Sequence, residues 1–214
     1  MSRFSNCEAL VLRLRSTGEA NREAFFLTSD AGIIRSTVYG GAKSKLRAFV
    51  SQFHSGILYL YHDPVRNSYK VQDFDVKNWR PLLRESFERS MTALAISETI
   101  LASFGGGGNW QESLKIATAS LDVLETADDD EAKRIFVHFL WGWAEFLGIQ
   151  PDTNKIYVEG TDAAALRWLK VTSAVEPPLL SRYAIDKISL EFAKNFCTRL
   201  LANNLGSYLK SWNW

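Results

Sequence analysis

From Glu8 the chain alternates, with Leu10, Leu12 and Leu14 at one parity and Ala9, Val11, Arg13 and Arg15 at the other. This is the period of a half-buried β-strand, and it puts Arg13 and Arg15 together on the outer face. Residues 16–21, containing Gly18, read as a loop, and 22–28 as a second strand rich in aromatics. Asp30-Ala31-Gly32 is a tight turn. A third strand over 33–39 places Ile33, Arg35, Thr37 and Tyr39 on one face. A glycine-rich basic loop over 40–47 follows, then an aromatic-rich run over 49–61, an Asp63-Pro64 turn and a fifth strand over 69–76. Five short strands with turn signals between them predict a small antiparallel barrel or sandwich. The oligonucleotide-binding (OB) barrel is the economical choice, because closure removes the exposed edges of a five-stranded sheet. Strand spacing alone leaves an SH3-like barrel open.

Past Pro81, which suits the first turn of a helix, Leu83, Phe87, Met91, Leu94, Thr99, Ile100 and Phe104 follow a 3.6-residue stripe up to glycines at 105–108. The stripe predicts one long amphipathic helix over 81–104. No strand precedes the glycines and no Gly-Lys-Ser or Gly-Lys-Thr follows them, so they read as a C-cap and connector rather than a phosphate loop. Asn109 caps a second helix over 110–125. The acids at 128–131 complement the positive end of a third helix, which Gly148 stops; this reads as a solvated helix start, not a metal site. Ile135, Phe136, Phe139, Leu140, Trp143 and Phe146 make that helix apolar on most sides and the predicted centre of a helical core. A short helix over 162–171, a Pro177-Pro178 break and a long helix over 181–203 complete the chain. The fold class is therefore α+β: a five-stranded OB-fold barrel domain over 1–78, then an all-α helical domain over 79–214.

The 214 residues, 46% hydrophobic and 13% aromatic, are enough for real cores. The net charge of +1 hides an asymmetry. Residues 1–50 carry eight Lys or Arg against four Asp or Glu, a net of +4, whereas 77–214 carry 15 against 17, a net of −2. A basic N-terminal part facing an anionic partner is the expectation. Cys7 and Cys197 encode neither a disulfide framework nor a Cys-rich metal site, and a reducing cytosol fits them. The apolar run near the start is too short for a signal peptide, and 135–149, broken by His138 and Glu145, falls short of the roughly 20 residues of a membrane span. A cytoplasmic chain with no membrane partner is expected. His54, His62 and His138 lie on different predicted elements without a second ligand at metal spacing, and no serine sits in a Gly-x-Ser-x-Gly elbow. The pattern reads as non-enzymatic, with no cofactor and no metal.

The remaining candidate chemistry is nucleic-acid binding. Lys43, Lys45 and Arg47 stand at alternate positions after Gly40 and Gly41 with no acid among them, and in an extended segment they point the same way. The same stretch also fits a solvated turn. With Arg13, Arg15 and Arg35 these cations would form one basic surface, with Tyr39 or Phe49 available for base stacking. Phe25, Phe26 and Phe53 are read as core. Gly18-Glu19 followed by Arg22, then Asp30-Ala31-Gly32-Ile33, Tyr39-Gly40-Gly41-Ala42 with Lys43, Ser44 and Leu46, and Gln52-Phe53 resemble, in order and spacing, the N-terminal domain of the bacterial recombination mediator family RecO. The closing helix, Gly206 and Leu209-Lys210-Ser211 are similar to the end of that family's chains.

The resemblance implies an OB-fold that binds single- and double-stranded DNA, with Arg35, Lys43, Lys45 and Arg47 along its surface. It also implies strand annealing, and a helical domain that takes the acidic, apolar-ended C-terminal tail of single-strand-binding protein (SSB). Action with RecR to load RecA at sites of DNA damage, and a nucleoid-associated place in the cytoplasm, follow from the same likeness. One segment departs from it. In the family, a stop like Leu147-Gly148-Ile149 followed by Pro leads into a four-cysteine zinc segment, whereas 151–162 here holds no Cys or His. Tetrahedral zinc needs four such ligands, so no zinc site is expected there. Two other classes stay open: a non-enzymatic adaptor whose barrel binds RNA or a peptide while the helices dock proteins, and an enzyme assembled from dispersed residues, which a buried titratable cluster would mark.

Overall fold

Alternating apolar positions separated by turn formers fold the N-terminal part into β1 (Phe4–Thr17), β2 (Asn21–Thr28), β3 (Gly32–Val38), β4 (Ser55–Asp63) and β5 (Ser68–Asn78), with a one-turn helix α1 (Lys45–Phe49) between β3 and β4. The computed structural model describes residues 3–17, 21–40, 44–152 and 162–214. The long β1 pairs antiparallel with β4 through its first half and with β2 through its second, and a short parallel seam, Ser36 to Tyr69 and Thr37 to Lys70, joins β3 to β5. The order β1-β2-β3-β5-β4 closes on itself. This is the expected five-stranded OB-type barrel. Ala9, Val11, Ala24, Phe26, Ile34, Leu58, Leu60, Val71 and Phe74 fill its interior, with Phe26 and Phe74 edge to face at 6.0 Å.

Two details of the barrel differ from the sequence expectation. A bulge between Val11 and Arg13 breaks the alternation of β1: Ala9 and Val11 line the interior, Leu14 packs on it after the bulge, and Leu10 and Leu12 are buried outside that cluster. A bulge inserts one residue and resets the faces, which a strict period of two does not foresee. The run 49–61 is not one strand: Phe49 ends α1, and β4 begins at Ser55 after a turn in which Phe53 has φ +72°. The buried Leu10 has Leu27 as its register partner, and Leu27 has Ile33. The glycine loop covers this apolar row. A Cβ on Gly105 would lie 3.2 Å from Leu27 and 3.3 Å from Ile33, and its φ of +74° is the left-handed conformation that favours glycine there.

The chain divides into two compact units, Met1–Arg80 with Ile100–Thr118, and Pro81–Thr99 with Ala119–Trp214. Its helices are α2 (Phe87–Ala102), α3 (Trp110–Leu124), α4 (Asp129–Phe146), α5 (Ala163–Thr172) and α6 (Lys187–Leu205). The expected single helix over 81–104 is a 3₁₀ turn, Pro81–Arg84, followed by α2, because the Ser86 hydroxyl accepts from Arg89 N (3.3 Å) and starts a new helix. The stripe drawn on it also differs. Phe87, Leu94 and Phe104 are exposed, and the buried face is built from Thr92, Ala93, Ala95, Ile96, Ser97, Thr99 and Ile100. At α4 Asp128 and Glu131 make a reciprocal capping box, and Phe136, Phe139, Trp141 and Trp143 are fully buried. The long final helix begins at Lys187 rather than 181, because Asp186 accepts from Ile188 N and Ser189 N. Among the described residues, no helix is long and apolar enough to cross a membrane.

Candidate nucleic-acid interface

Strand register decides which side chains share the outer wall of the barrel. Phe26 points inward, so Glu23, Phe25 and Leu27 point outward on β2, as Ile33, Arg35 and Thr37 do on β3. Arg13 is the register partner of Phe25, which is in turn the partner of Arg35. The Arg15 guanidinium lies 5.4 Å from the Phe25 ring centre, within the range of a cation–π contact. Arg13, Arg15 and Arg35 therefore surround one half-buried, outward-facing ring. Glu23 is the acid among them, and it pairs with the exposed Arg35.

The basic loop is arranged differently from its expectation. Residues 45–49 are helical, and on a helix positions two apart do not share a face. Lys45 is exposed, whereas Arg47 is half-buried. Arg22, held below the usual guanidinium range chiefly by burial, is lowered further by the positive charge of Arg47, so these two arginines are neighbours at the start of β2. Leu46 and Val50 anchor α1 on the barrel core, and the His54 ring nitrogen Nδ1 meets the Phe49 carbonyl at 2.9 Å. Lys43 lies outside the described residues, as do Gly18, Glu19, Gly41 and Ala42.

Of the two rings offered for stacking, Phe49 is engaged edge-on by Trp79 at 5.7 Å, while Tyr39 is 48% exposed. Lys70 stands between Tyr39 and Tyr61, its ammonium 5.8 Å and 5.9 Å from their ring centres. Phe25, expected in the core, faces outward instead, and sequence reasoning passed over Arg22, Lys70 and Tyr61 as site residues. The signal for Phe25 was its parity opposite Phe26, and for Lys70 its parity opposite the interior Val71.

In the helical unit an open cavity of about 630 Å³ is lined by Arg167, Trp168, Val171, Arg182, Tyr183 and Ile185 among others. Trp168 Nε1 donates to the Tyr183 carbonyl (3.1 Å) and fixes its wall. Asp186, also at its edge, is spent on capping α6, and those backbone donors hold its carboxyl below the ordinary range. Two exposed guanidinium groups thus flank an apolar floor. Elsewhere the Cys7 thiol is pushed up to about 11 by burial and by Asp30, which leaves it protonated and a poor nucleophile at neutral pH. No group of three His, Cys, Asp or Glu side chains among the described residues is placed to hold a metal ion; of the segment expected to lack zinc ligands, 153–161 lies outside the described residues. No protein-family model matches the chain, and no curated protein matches it in sequence.

Proposed function

We propose that the chain is a non-enzymatic DNA-repair and recombination mediator of RecO type, which holds single-stranded DNA on its barrel, anneals complementary strands and, with RecR, helps replace SSB by RecA. The observation that carries this reading is the grouping of Arg13, Arg15 and Arg35 around outward-facing Phe25 on a closed OB barrel. Cations on rigid strands neutralise phosphates without much ordering cost, and an outward-facing ring at their centre adds an aromatic contact for a base. Two complementary strands repel through their phosphates, and partial neutralisation of one lowers that barrier to pairing. The cavity between Arg167 and Arg182 suits an acidic peptide with an apolar end: guanidinium groups take carboxylates, and Trp168, Val171 and Ile185 take the apolar side chain. This supports the SSB tail as the partner of the helical unit. A cytoplasmic, nucleoid-associated location belongs to the same reading.

Annealing of two complementary oligonucleotides precoated with SSB tests it. The intact chain accelerates annealing, Arg13→Ala/Arg15→Ala loses most of the acceleration, and SSB without its C-terminal residues abolishes the advantage of the precoated substrate. Absence of acceleration by folded wild-type protein would overturn the mediator reading and leave an adaptor whose barrel takes RNA or a peptide.

A further inference from the structure

A second set of side chains on the outer wall is not used by the arginine patch. Phe4 on β1, Tyr61 on β4, Lys70 on β5 and Thr37 on β3 are successive register partners, and Thr37 continues through Glu23 to Arg15. Register partners stand side by side on one face of a sheet. One cross-strand row therefore runs around the barrel from Arg15, through Glu23, Thr37, Lys70 and Tyr61, to Phe4. At its far end the rings meet: Phe4 and Tyr61 are edge to face at 5.3 Å, and the Lys70 ammonium sits between Tyr61 and Tyr39. Phe4 is 65% exposed and Tyr39 48%.

These rings are not needed by the barrel interior, which Leu58, Leu60 and Val71 fill from the same strands. Asp63, at the end of β4, is turned into the hairpin, accepting from Val65 N (3.1 Å) and Arg66 N (3.2 Å). Its carboxyl is held below the ordinary range by the Arg66 N–H first, with Lys70 and Arg66 adding to it. What fits such a row is a polymer that alternates anionic and flat aromatic groups. A duplex presents phosphates but hides its base faces, so rings gain nothing from it; an unpaired strand presents both.

We propose that Phe4, Tyr39 and Tyr61 around Lys70 form a base-stacking ledge that makes the barrel select unpaired strands, the strand crossing the barrel from the ledge to the Arg13, Arg15 and Arg35 patch. The inference rests on the DNA-binding reading of the same barrel. Lys70 takes the phosphate between stacked bases, and its position between two rings keeps its ammonium on the ledge.

The test is fluorescence anisotropy at fixed ionic strength with a labelled mixed-sequence oligonucleotide and a matched duplex, using the full chain. Phe4→Ala/Tyr39→Ala should weaken single-strand binding at least about tenfold, since stacking on each ring is worth about 1–3 kcal/mol, while duplex binding moves less than about twofold. The conservative Phe4→Trp/Tyr39→Phe should keep wild-type affinity, and Arg13→Ala/Arg15→Ala should weaken both substrates. Tyr39→Ala alone, just past the end of β3, serves if the double variant melts early. Wild-type single-strand affinity in the ring variants, with loss in the arginine variant, would overturn the ledge and leave the DNA reading standing. Equal loss on both substrates would also overturn it. Failure of the wild type to bind either DNA would overturn both.

Discussion

Arg35 is already engaged before any ligand arrives, because Glu23 pairs with it. An exposed ion pair of this kind contributes at most about 1 kcal/mol, so a phosphate can displace the carboxylate. Glu23→Gln should tighten single-strand binding by up to about fivefold, the gain shrinking as salt screens the repulsion between the Glu23 carboxylate and the phosphates. Titrations at several salt concentrations read both, and no gain at any of them would remove Arg35 from the phosphate contacts. A different residue sets a pH dependence in the helical unit. His138 Nε2 faces the carbonyls of Thr172 (3.1 Å) and Val175 (2.9 Å); burial pushes its pKa below the ordinary 6.5, and the two carbonyls oppose that. The folded state then binds fewer protons than the unfolded state, so this stability is fully present above about pH 6.5 and is lost as pH falls from there toward the folded-state pKa. His138→Gln, whose amide can donate to the same carbonyls, should flatten the melting temperature between about pH 7 and 5; a slope unchanged from wild type would assign it to another group. At this scale the sequence was half legible. Arg13 and Arg15 were placed on the outer wall by parity, but Phe25 and Phe26 are equally good strand and core residues, and only closure of the barrel decides which one faces out.

Among the elements, β4 and β5 approach closely at Gly56, where a Cβ would collide with the Asp75 carbonyl oxygen and lie 2.9 Å from Lys77 N. Both are backbone atoms of the partner strand and cannot rotate away. Gly56→Ala should destabilise the barrel by about 3 kcal/mol or more, read from chemical denaturation; a loss below about 1 kcal/mol would mean that the pair opens freely at its register shift. Asp128→Ala removes the acceptor of Glu131 N (2.7 Å) and the start of α4, at an expected cost of about 1 kcal/mol by the same measurement. A value near zero would assign the stability of that helix start to packing alone. Strands and helices with strong punctuation were readable from the sequence, as Asp128 and Gly148 at the ends of α4 illustrate. The helix α2 was not, because its buried face uses Ala, Ser and Thr, residues a hydrophobicity stripe ranks below the exposed Phe87 and Leu94. The one-turn α1 was missed for a related reason: five residues give no periodicity, and Leu46 and Val50 fold them onto the barrel by tertiary contact.

Over the whole molecule, the near-neutral charge separates into a basic first 50 residues and a slightly acidic remainder, and the basic part is the one that forms the barrel wall. Whole-chain composition concealed this, whereas dividing the chain exposed it, because charges act over about a Debye length and not over a whole chain. The same scale explains why the cavity beside Arg167 and Arg182 was not readable: its residues come from α5 and the segment before α6, and a local basic site in a net acidic unit leaves no compositional trace. The reading of the barrel as a DNA-binding wall is decided by the salt dependence of single-strand affinity in wild type and in Arg13→Ala/Arg15→Ala/Arg35→Ala. With roughly 0.7 counterions released per phosphate contact on single strands, the variant should lose about 2 from the slope of log affinity against log salt while melting at the wild-type temperature. A slope equal to that of the wild type, in a folded variant, would contradict the assignment of DNA to this wall.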